Sequence, residues 1–259
     1  MANGLLFLGK ERTNMGKTAI IIPARYNSKR LNGKPLIKVL DKPIIQWVWE
    51  RAKSVKSADA VIIATDNQDI FDTAKSFGAD VEMTSENHTS GSDRIAEVAE
   101  RHPEFDIIVN LQGDEPLIEQ DCVEEVIHQL KVDKNADITT LATFVRAEDD
   151  KEDPNMVKVV FDCNGYALYF SRSKIPYERN YEIADFYKHI GIYGYRRSSL
   201  LKMVSLKQAK IEKAESLEQL RALYNGMKIK VSPVVYNSIG IDTIADLNAF
   251  KKVVEEGNN

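Results

Sequence analysis

Three short apolar runs, separated by stretches with helical periodicity, constrain the fold of this chain most strongly. The runs cover residues 18–24, 60–65 and 107–111, and none of them shows strict polar alternation. Continuous apolar runs of this length are typical of parallel strands buried on both faces. Because helical patterns lie between these strands, the sequence predicts an α/β domain with a mostly parallel, doubly wound sheet.

Helices are predicted from the spacing of apolar residues. Pro43 begins a pattern that places Ile44, Ile45, Val48 and Ala52 on one face as far as about residue 55. The other elements predicted in this half are helices at 68–77, capped by Gly78, at 92–101, with Ser92 as candidate N-cap, and at 120–132, and a strand at 81–84.

After residue 137 the pattern changes, because strand-like segments follow one another with few helices between them. We expect these strands to pair partly antiparallel and to extend the sheet as a smaller segment. The strands are predicted at 138–143, 156–161, 167–170, 190–195 and 229–234, a short strand-like segment at 239–241, and helices at 198–205, 215–224 and 244–254. No repeat or linker is visible, so we expect one domain over residues 17–259 and a flexible N-terminal extension over residues 1–16.

Composition excludes several classes of protein. The chain has 259 residues and a net charge of −4, so it has no general attraction for nucleic acid; only the basic residues of 29–34 favour that alternative. Cys122 and Cys163 are isolated, which argues against structural zinc and for a reducing compartment, the cytoplasm. No apolar run approaches the roughly 20 residues that a membrane helix needs.

A basic loop follows the first predicted strand. Four cationic residues fall within ten positions, together with Ser28: Arg25, Lys29, Arg30 and Lys34. In a parallel sheet, ligands bind beyond the carboxyl ends of the strands, and cations at that place suit a polyphosphate. A solvated basic loop is the alternative, but the strand–loop–helix context favours a ligand site.

Carboxylates follow two other apolar segments. Gln112, Gly113 and Asp114 come after the run at 107–111, and Asp242 follows residues 239–241. Carboxylates at such positions can hold Mg²⁺ bound to phosphate oxygens. A type I turn or a helix N-cap is the alternative for Asp114, and the N-cap of the last helix is the alternative for Asp242.

The segment from Thr89 to Arg94 is a small polar loop that runs into a helix. Exposed N–H groups at a helix start, with an arginine in the first turn, favour an anion or a base edge. The alternative is a simple capped turn with a solvated Arg94.

For His189 a structural role is the alternative, and for Glu218 an ion pair with Arg221. No Ser-His-Asp, Cys-His or P-loop pattern occurs, so covalent catalysis is not indicated.

Seven blocks occur in an order that is far more specific than any single motif. Together they closely resemble the CMP-Kdo synthetase (3-deoxy-manno-octulosonate cytidylyltransferase) family, over nearly all of residues 18–254. The blocks are IIPARYNSKRLNGKPL, TSGSDRIAEV, VNLQGDEPLI, YALYFSRSKIPY, HIGIYGYR, ESLEQLRAL and IGIDTIADL.

The resemblance implies a magnesium-dependent enzyme that transfers CMP from CTP to a Kdo-type sugar acid, releasing pyrophosphate, for lipopolysaccharide biosynthesis. It also implies a sheet of the nucleotide-diphospho-sugar transferase (Rossmann-like) type and a homodimer, with residues 140–200 contributing to the interface and to the sugar pocket. Ser92 stands where the family commonly has threonine, and it keeps the hydroxyl. The residues matched to family positions are Arg25, Ser28, Arg30, Lys34, Ser90, Arg94 and Gln112 for the nucleotide; Gln112, Arg172, His189, Tyr193, Glu218 and Gln219 for the sugar; Asp114 and Asp242 for the metal; and Arg25, Lys34, Asp114 and Asp242 for catalysis.

Two alternatives to this function stay open. The sugar could be the 8-amino analogue of Kdo, because the matched pocket residues do not distinguish the two, and related enzymes use other sugars or UTP. A non-catalytic nucleotide-binding module on the same fold is the second alternative. Such a module would be expected to lose at least one of Arg25, Lys34, Asp114 and Asp242, and all four are present.

Overall fold

The chain folds around one nine-stranded sheet, with a separate two-stranded hairpin. The structure is a computed structural model, and it describes residues 16–26, 31–145, 148–180, 183–236 and 240–257. The strands are β1 (Lys17–Ala24), β2 (Lys38–Val39), β3 (Lys42–Pro43), β4 (Ala60–Thr65), β5 (Asp80–Met83), β6 (Phe105–Asn110), β7 (Ile138–Phe144), β8 (Lys158–Phe161), β9 (Ala167–Ser171), β10 (Tyr187–Arg196) and β11 (Ile229–Pro233). The helices are α1 (Ile44–Lys53), α2 (Gln68–Ser76), α3 (Gly91–Arg101), α4 (Gln120–Val132), α5 (Glu148–Glu152), α6 (Arg197–Ser205), α7 (Lys210–Glu215), α8 (Gln219–Tyr224) and α9 (Ile244–Gly257), with a single 3₁₀ turn at Lys34–Leu36.

The sheet is mostly parallel, as the sequence predicts. Its main path runs β11-β7-β10-β6-β1-β4-β5, in which β10 alone is antiparallel to both of its neighbours. The chain moves from β1 outward through β4 to β5, and α3 then returns it to β6 on the other side of β1. The order of strands therefore reverses between β1 and β6, and such a switch point leaves a crevice at the carboxyl ends of the strands.

Both faces of the sheet are buried, which explains the continuous apolar runs. In β1, Ala19 and Ile21 pack into a core with α3 and α6, whereas Ile20 and Ile22 pack into a second core with α1, α2 and α4. The four residues predicted on one face of the first helix are all fully buried. A strand covered on both sides needs no polar alternation.

The second half of the sheet contains the predicted antiparallel segment. Strand β8 pairs antiparallel with β9 and with β10, and β10 pairs antiparallel with β7. The antiparallel segment belongs to the same sheet as the parallel strands, because β10 also pairs with β6. Within the described ranges, no helix is both long and apolar enough to cross a membrane.

Three local predictions were wrong. Ser92 is not the N-cap of α3; Ser90 is, and it forms a reciprocal capping box with Asp93. The helix predicted at 215–224 begins only at Gln219, as α8, because Ser216 lies in the left-handed region with φ 52° and ends the preceding α7. The segment before Asp242 is not a strand where it is described, since residues 240–243 are irregular.

Candidate active site

A cleft opens at the carboxyl ends of β1 and β6, where the strand order reverses. We call it the central cleft; its volume is about 240 Å³. It brings together Arg25 and Lys34 of the basic loop with Gln112 and Asp114 of the segment after β6. The central cleft is lined by Pro23, Ala24, Arg25, Lys34, Pro35, Gly91, Gln112, Gly113 and Asp114.

Close packing of two backbone segments forms one wall of the central cleft. A Cβ atom on Gly113 would lie 2.9 Å from the carbonyl oxygen of Pro23, so only glycine allows the loop after β6 to pass the end of β1 this closely. Residues 112–115 form a turn, because the Glu115 N–H donates to the Gln112 carbonyl at 3.3 Å. The turn predicted as an alternative is therefore present, and it presents Asp114 to the central cleft.

Lys34 joins the two candidate metal carboxylates. Its Nζ donates to Asp114 Oδ2 at 2.8 Å, to the Ile241 carbonyl at 2.7 Å and to Asp242 Oδ1 at 3.3 Å. The Ile241 N–H in turn donates to the Asp114 carbonyl at 2.8 Å, which fixes the 240–242 segment beside the turn. Residues far apart in sequence thus converge on one ammonium group.

Asp242 does not cap the last helix. Thr243 does so instead, since its hydroxyl accepts from the Asp246 N–H while the Asp246 carboxylate accepts from the Thr243 N–H at 2.8 Å. The carboxylate of Asp242 is about half exposed and forms an ion pair with Lys34 Nζ. The N-cap alternative for Asp242 is therefore wrong.

Arg25 has unused hydrogen-bonding capacity. Its Nη1 donates to the Thr89 carbonyl at 3.2 Å, whereas Nη2 is buried and donates to no described residue. Burial lowers the pKa of Arg25 from its usual value, and the nearby guanidinium of Arg94 lowers it further. A buried N–H without an acceptor favours an anionic ligand there.

Arg94 is fully buried, so the alternative of a solvated Arg94 is wrong. Its guanidinium donates to the Asp66 carboxylate and to the Thr84 hydroxyl, and its Nε is buried without a described acceptor. Asp66 directly follows β4, so this ion pair ties α3 to the end of the strand next to β1. A capped turn does occur here, but with Arg94 as its buried anchor.

A second cleft, of about 350 Å³, lies on the other side of the start of α3. We call it the lateral cleft. Ser90 and Gly91 are neighbours in sequence, and they line the lateral and the central cleft respectively. The lateral cleft is lined by Thr89, Ser90, Gln208, Glu212, Lys213, Ser216, Leu217, Glu218 and Arg221.

Glu218 is held mainly by a partner that the sequence does not suggest. Its Oε2 accepts from the Ser92 hydroxyl at 2.5 Å, whereas Arg221 Nη2 is 3.8 Å from Oε1. Arg221 is instead paired with the buried Glu212, at 2.6 Å. The i, i+3 ion pair proposed as an alternative for Glu218 is therefore only a loose contact.

His189 and Tyr193 lie side by side on β10, with ring centroids 5.3 Å apart. Burial lowers the pKa of His189 to about 3, so its ring is neutral near pH 7, and burial raises the pKa of Tyr193 well above its usual value. The Thr140 hydroxyl has one proton to donate, and it donates it to a carbonyl of β10; the carbonyl oxygen of Ile192 is 2.8 Å away. The same hydroxyl therefore accepts a hydrogen bond from His189 Nε2, at 3.0 Å. This leaves Nδ1 of His189 as a hydrogen-bond acceptor.

The remaining matched residues lie away from the two clefts or outside the described part of the chain. Arg172 donates to the carbonyls of Glu215 at 2.8 Å and of Pro154 at 3.0 Å. Gln219 is buried at the start of α8. Ser28 and Arg30 lie outside the described residues.

Sequence reasoning missed the contacts of three residues that hold the site together: Asp66, Ser92 and Glu212. Asp66 has a visible signal, because it follows a buried strand at the same sheet edge as Arg25. Ser92 and Glu212 have none, because their partners lie in other elements and only the folded chain brings them close.

The geometry agrees with comparisons to known proteins. A model of the cytidylyltransferase family matches residues 19–229. The chain belongs to the cytidylyltransferase family. A relative of this family in Thermodesulfovibrio yellowstonii, 3-deoxy-manno-octulosonate cytidylyltransferase, is 51% identical over 248 residues, which is 91% of this chain and 97% of the relative. The enzyme of the same name in Fusobacterium nucleatum is 45% identical, over 92% of this chain and 97% of its own.

Solved cytidylyltransferase structures show the same fold. CMP:2-keto-3-deoxy-manno-octonic acid synthetase complexed with CTP is 42% identical, with a TM-score of 0.90 over 93% of this chain and 100% of its own. The 4-diphosphocytidyl-2C-methyl-D-erythritol synthase of Anaerococcus prevotii is 15% identical, with a TM-score of 0.63 over 93% of this chain and 97% of its own. The second likeness concerns the fold alone. The predicted family and the predicted sheet architecture are confirmed.

Proposed function

We propose that this cytidylyltransferase transfers CMP from CTP to the anomeric hydroxyl of Kdo, releasing pyrophosphate. One observation carries the proposal: Arg25, Lys34 and Asp114 line one cleft at the switch point of the sheet, in a chain that matches named Kdo cytidylyltransferases over nearly its whole length. The non-catalytic alternative is disfavoured because the cations and both carboxylates are present and converge.

Mg²⁺ fits the residues present. Asp114 and Asp242 each place a carboxylate oxygen within 3.3 Å of the same nitrogen, so both face one small volume. Among the described residues no group of three acidic, histidine or cysteine side chains could hold a metal, so the two carboxylates would share the ion with phosphate oxygens and water, as Mg²⁺ prefers. Bound there, Mg²⁺ would neutralise phosphate charge and favour the ionised form of the attacking hydroxyl.

The protein's own contribution is positioning and charge stabilisation. In the reaction, the sugar hydroxyl attacks the α-phosphorus in line while pyrophosphate departs, so negative charge develops on the leaving group. Arg25 and Lys34 are the cations at the central cleft that would stabilise it. The buried Nη2 of Arg25 supports this role, because it donates to no described residue and needs only an acceptor.

The sugar acid is proposed to bind between the lateral cleft and the rings on β10. Support comes from Glu218, which lines the lateral cleft, and from the acceptor Nδ1 of His189. Tyr195 connects them, since its ring lies 5.9 Å from that of Tyr193, and burial and the nearby Glu218 carboxylate raise its pKa. The 8-amino analogue of Kdo remains the alternative substrate.

We further propose that the enzyme is a homodimer that works in the cytoplasm, in lipopolysaccharide biosynthesis. Large apolar side chains are exposed on and beside the antiparallel segment, which suits a surface covered by a second copy. They are Phe144, Leu168, Tyr177 and Ile183. Light scattering of the purified protein tests the dimer, and a monomeric mass at micromolar concentration would contradict it.

Pyrophosphate release tests the function itself. The assay contains Mg²⁺ and CTP, with Kdo and its 8-amino analogue in parallel arms and UTP in place of CTP as control. We expect release with CTP and Kdo, and none without the sugar. Saturable CTP binding without release in either sugar arm would contradict the proposal and favour a binding module, whereas release only with the 8-amino analogue would reassign the substrate.

A further inference from the structure

Ser92 is a buried serine whose hydroxyl links two elements of the site. It lies in the first turn of α3, is 2% exposed, and donates to Glu218 Oε2 at 2.5 Å. This hydrogen bond ties α3 to the start of α8.

The other carboxylate oxygen of Glu218, Oε1, faces Arg221. Arg221 Nη2 lies 3.8 Å from the buried Oε1 of Glu218. Arg221 cannot move freely, because its guanidinium makes hydrogen bonds of 2.6–3.2 Å to Glu212, and Glu212 accepts from the Ala209 N–H at 3.0 Å. Oε1 accepts no hydrogen bond from a described residue, so the Ser92 hydroxyl supplies the hydrogen bond that fixes the Glu218 rotamer, and removing it would free that rotamer.

We propose that Ser92 is a positioning residue that orients the Glu218 carboxylate toward the sugar acid. The inference rests on the proposed function, because it assigns Glu218 to the sugar side of the site. Each carboxylate oxygen accepts two hydrogen bonds, so Oε2 keeps one lone pair for a sugar hydroxyl after bonding Ser92. Ser92 is itself too buried to contact the sugar, and it therefore acts through Glu218.

The test is a steady-state comparison of wild type with Ser92→Ala and Ser92→Thr, measuring pyrophosphate release. Loss of a hydrogen bond to a charged group corresponds to roughly a tenfold effect. We expect Ser92→Ala to raise KM for Kdo about tenfold while KM for CTP changes less than twofold. Ser92→Thr keeps the hydroxyl and should stay near wild type.

A matched control separates positioning from general stability. Ser199 is also a buried serine that donates to a carboxylate, Asp137 Oδ1 at 2.9 Å, but it lies on α6 away from both clefts. Ser199→Ala should lower thermal stability as Ser92→Ala does, and leave KM for Kdo unchanged. Equal KM effects in the two variants would overturn the proposal.

A double variant tests whether Ser92 acts through Glu218. In a Glu218→Ala background, Ser92→Ala should add nothing to KM for Kdo, because the group it orients is gone. An additive tenfold effect would overturn the positioning role. An inactive wild type would refute the proposed function instead, whereas an active wild type whose Ser92→Ala variant keeps its KM would overturn only the role of Ser92.

Discussion

The Nζ of Lys34 lies 2.8 Å from the Asp114 carboxylate, and this ion pair joins the loop after β1 to the loop after β6. The Lys34 side chain is 12% exposed, so solvent screens the pair less than it would on the surface. An ammonium group has three protons, and Asp114, Ile241 and Asp242 accept all of them. A phosphate that binds Lys34 must therefore replace one acceptor, and the longest contact, at 3.3 Å to Asp242, is the weakest.

Replacing Lys34 should slow catalysis strongly. Lys34→Met keeps much of the aliphatic stem but removes the charge that would stabilise departing pyrophosphate, so we expect kcat to fall about a hundredfold. Initial rates of pyrophosphate release at saturating CTP and sugar measure this. Lys38→Met, at the exposed first position of β2, is the matched control and should retain wild-type kcat. A Lys34→Met variant with kcat within threefold of wild type would contradict the assignment.

Removing the carboxylate of Asp114 should be at least as damaging. Asp114→Ala takes away a ligand proposed for Mg²⁺, and we expect turnover to fall about a hundredfold or more even at saturating Mg²⁺. Asp69→Ala is the control, because Asp69 is an exposed carboxylate in the first turn of α2 and lines neither cleft. Mn²⁺ binding in the presence of CTP, followed by electron paramagnetic resonance, should weaken for Asp114→Ala only. Near-normal turnover of Asp114→Ala would refute the metal assignment.

The sequence predicts the sheet and one edge of the site because both follow from local rules. Buried strands appear as continuous apolar runs, and parallel strands end at a common edge, so Arg25 and Asp114 were expected to meet. The contact of Lys34 with Asp242 spans 208 positions, and no local pattern specifies it. Its place after an apolar segment made Asp242 a candidate metal ligand, and the resemblance to a family assigned it to the same site as Asp114.

The start of α3 shows which contacts near the site a local pattern specifies. Both Ser90 and Ser92 have the chemistry of an N-cap, and Ser90 satisfies the capping pattern with Asp93 three positions later. Ser92 is followed three positions later by Ile95, so the capping pattern favours Ser90. The hydrogen bond of Ser92 to Glu218, 126 positions away, has no local signal in the sequence.

His189 should make stability depend on pH. Its pKa is about 3 in the folded state against an ordinary value of 6.5, so between these values the unfolded chain binds more protons and stability falls as pH falls. His189→Gln keeps an N–H donor for Thr140 and removes this titration. Between pH 7 and pH 5, the unfolding free energy of His189→Gln should fall by about 1–2 kcal/mol less than that of wild type, as measured by urea denaturation. His128→Gln, at an exposed position, should follow wild type, and parallel curves for all three proteins would contradict the prediction.

Arg94 should contribute far more to stability than an exposed arginine of the same helix. Arg94 is fully buried on Asp66, so Arg94→Met leaves that carboxylate without its main cation, and loss of one partner of a buried pair costs about 3–5 kcal/mol. Arg101 pairs with Glu82 at 3.1 Å, and with Glu97, on the surface, where such pairs contribute about 1 kcal/mol or less. Urea denaturation of Arg94→Met and Arg101→Met measures both changes. Similar losses in the two variants would show that burial of Arg94 on Asp66 does not anchor α3 at the end of β4.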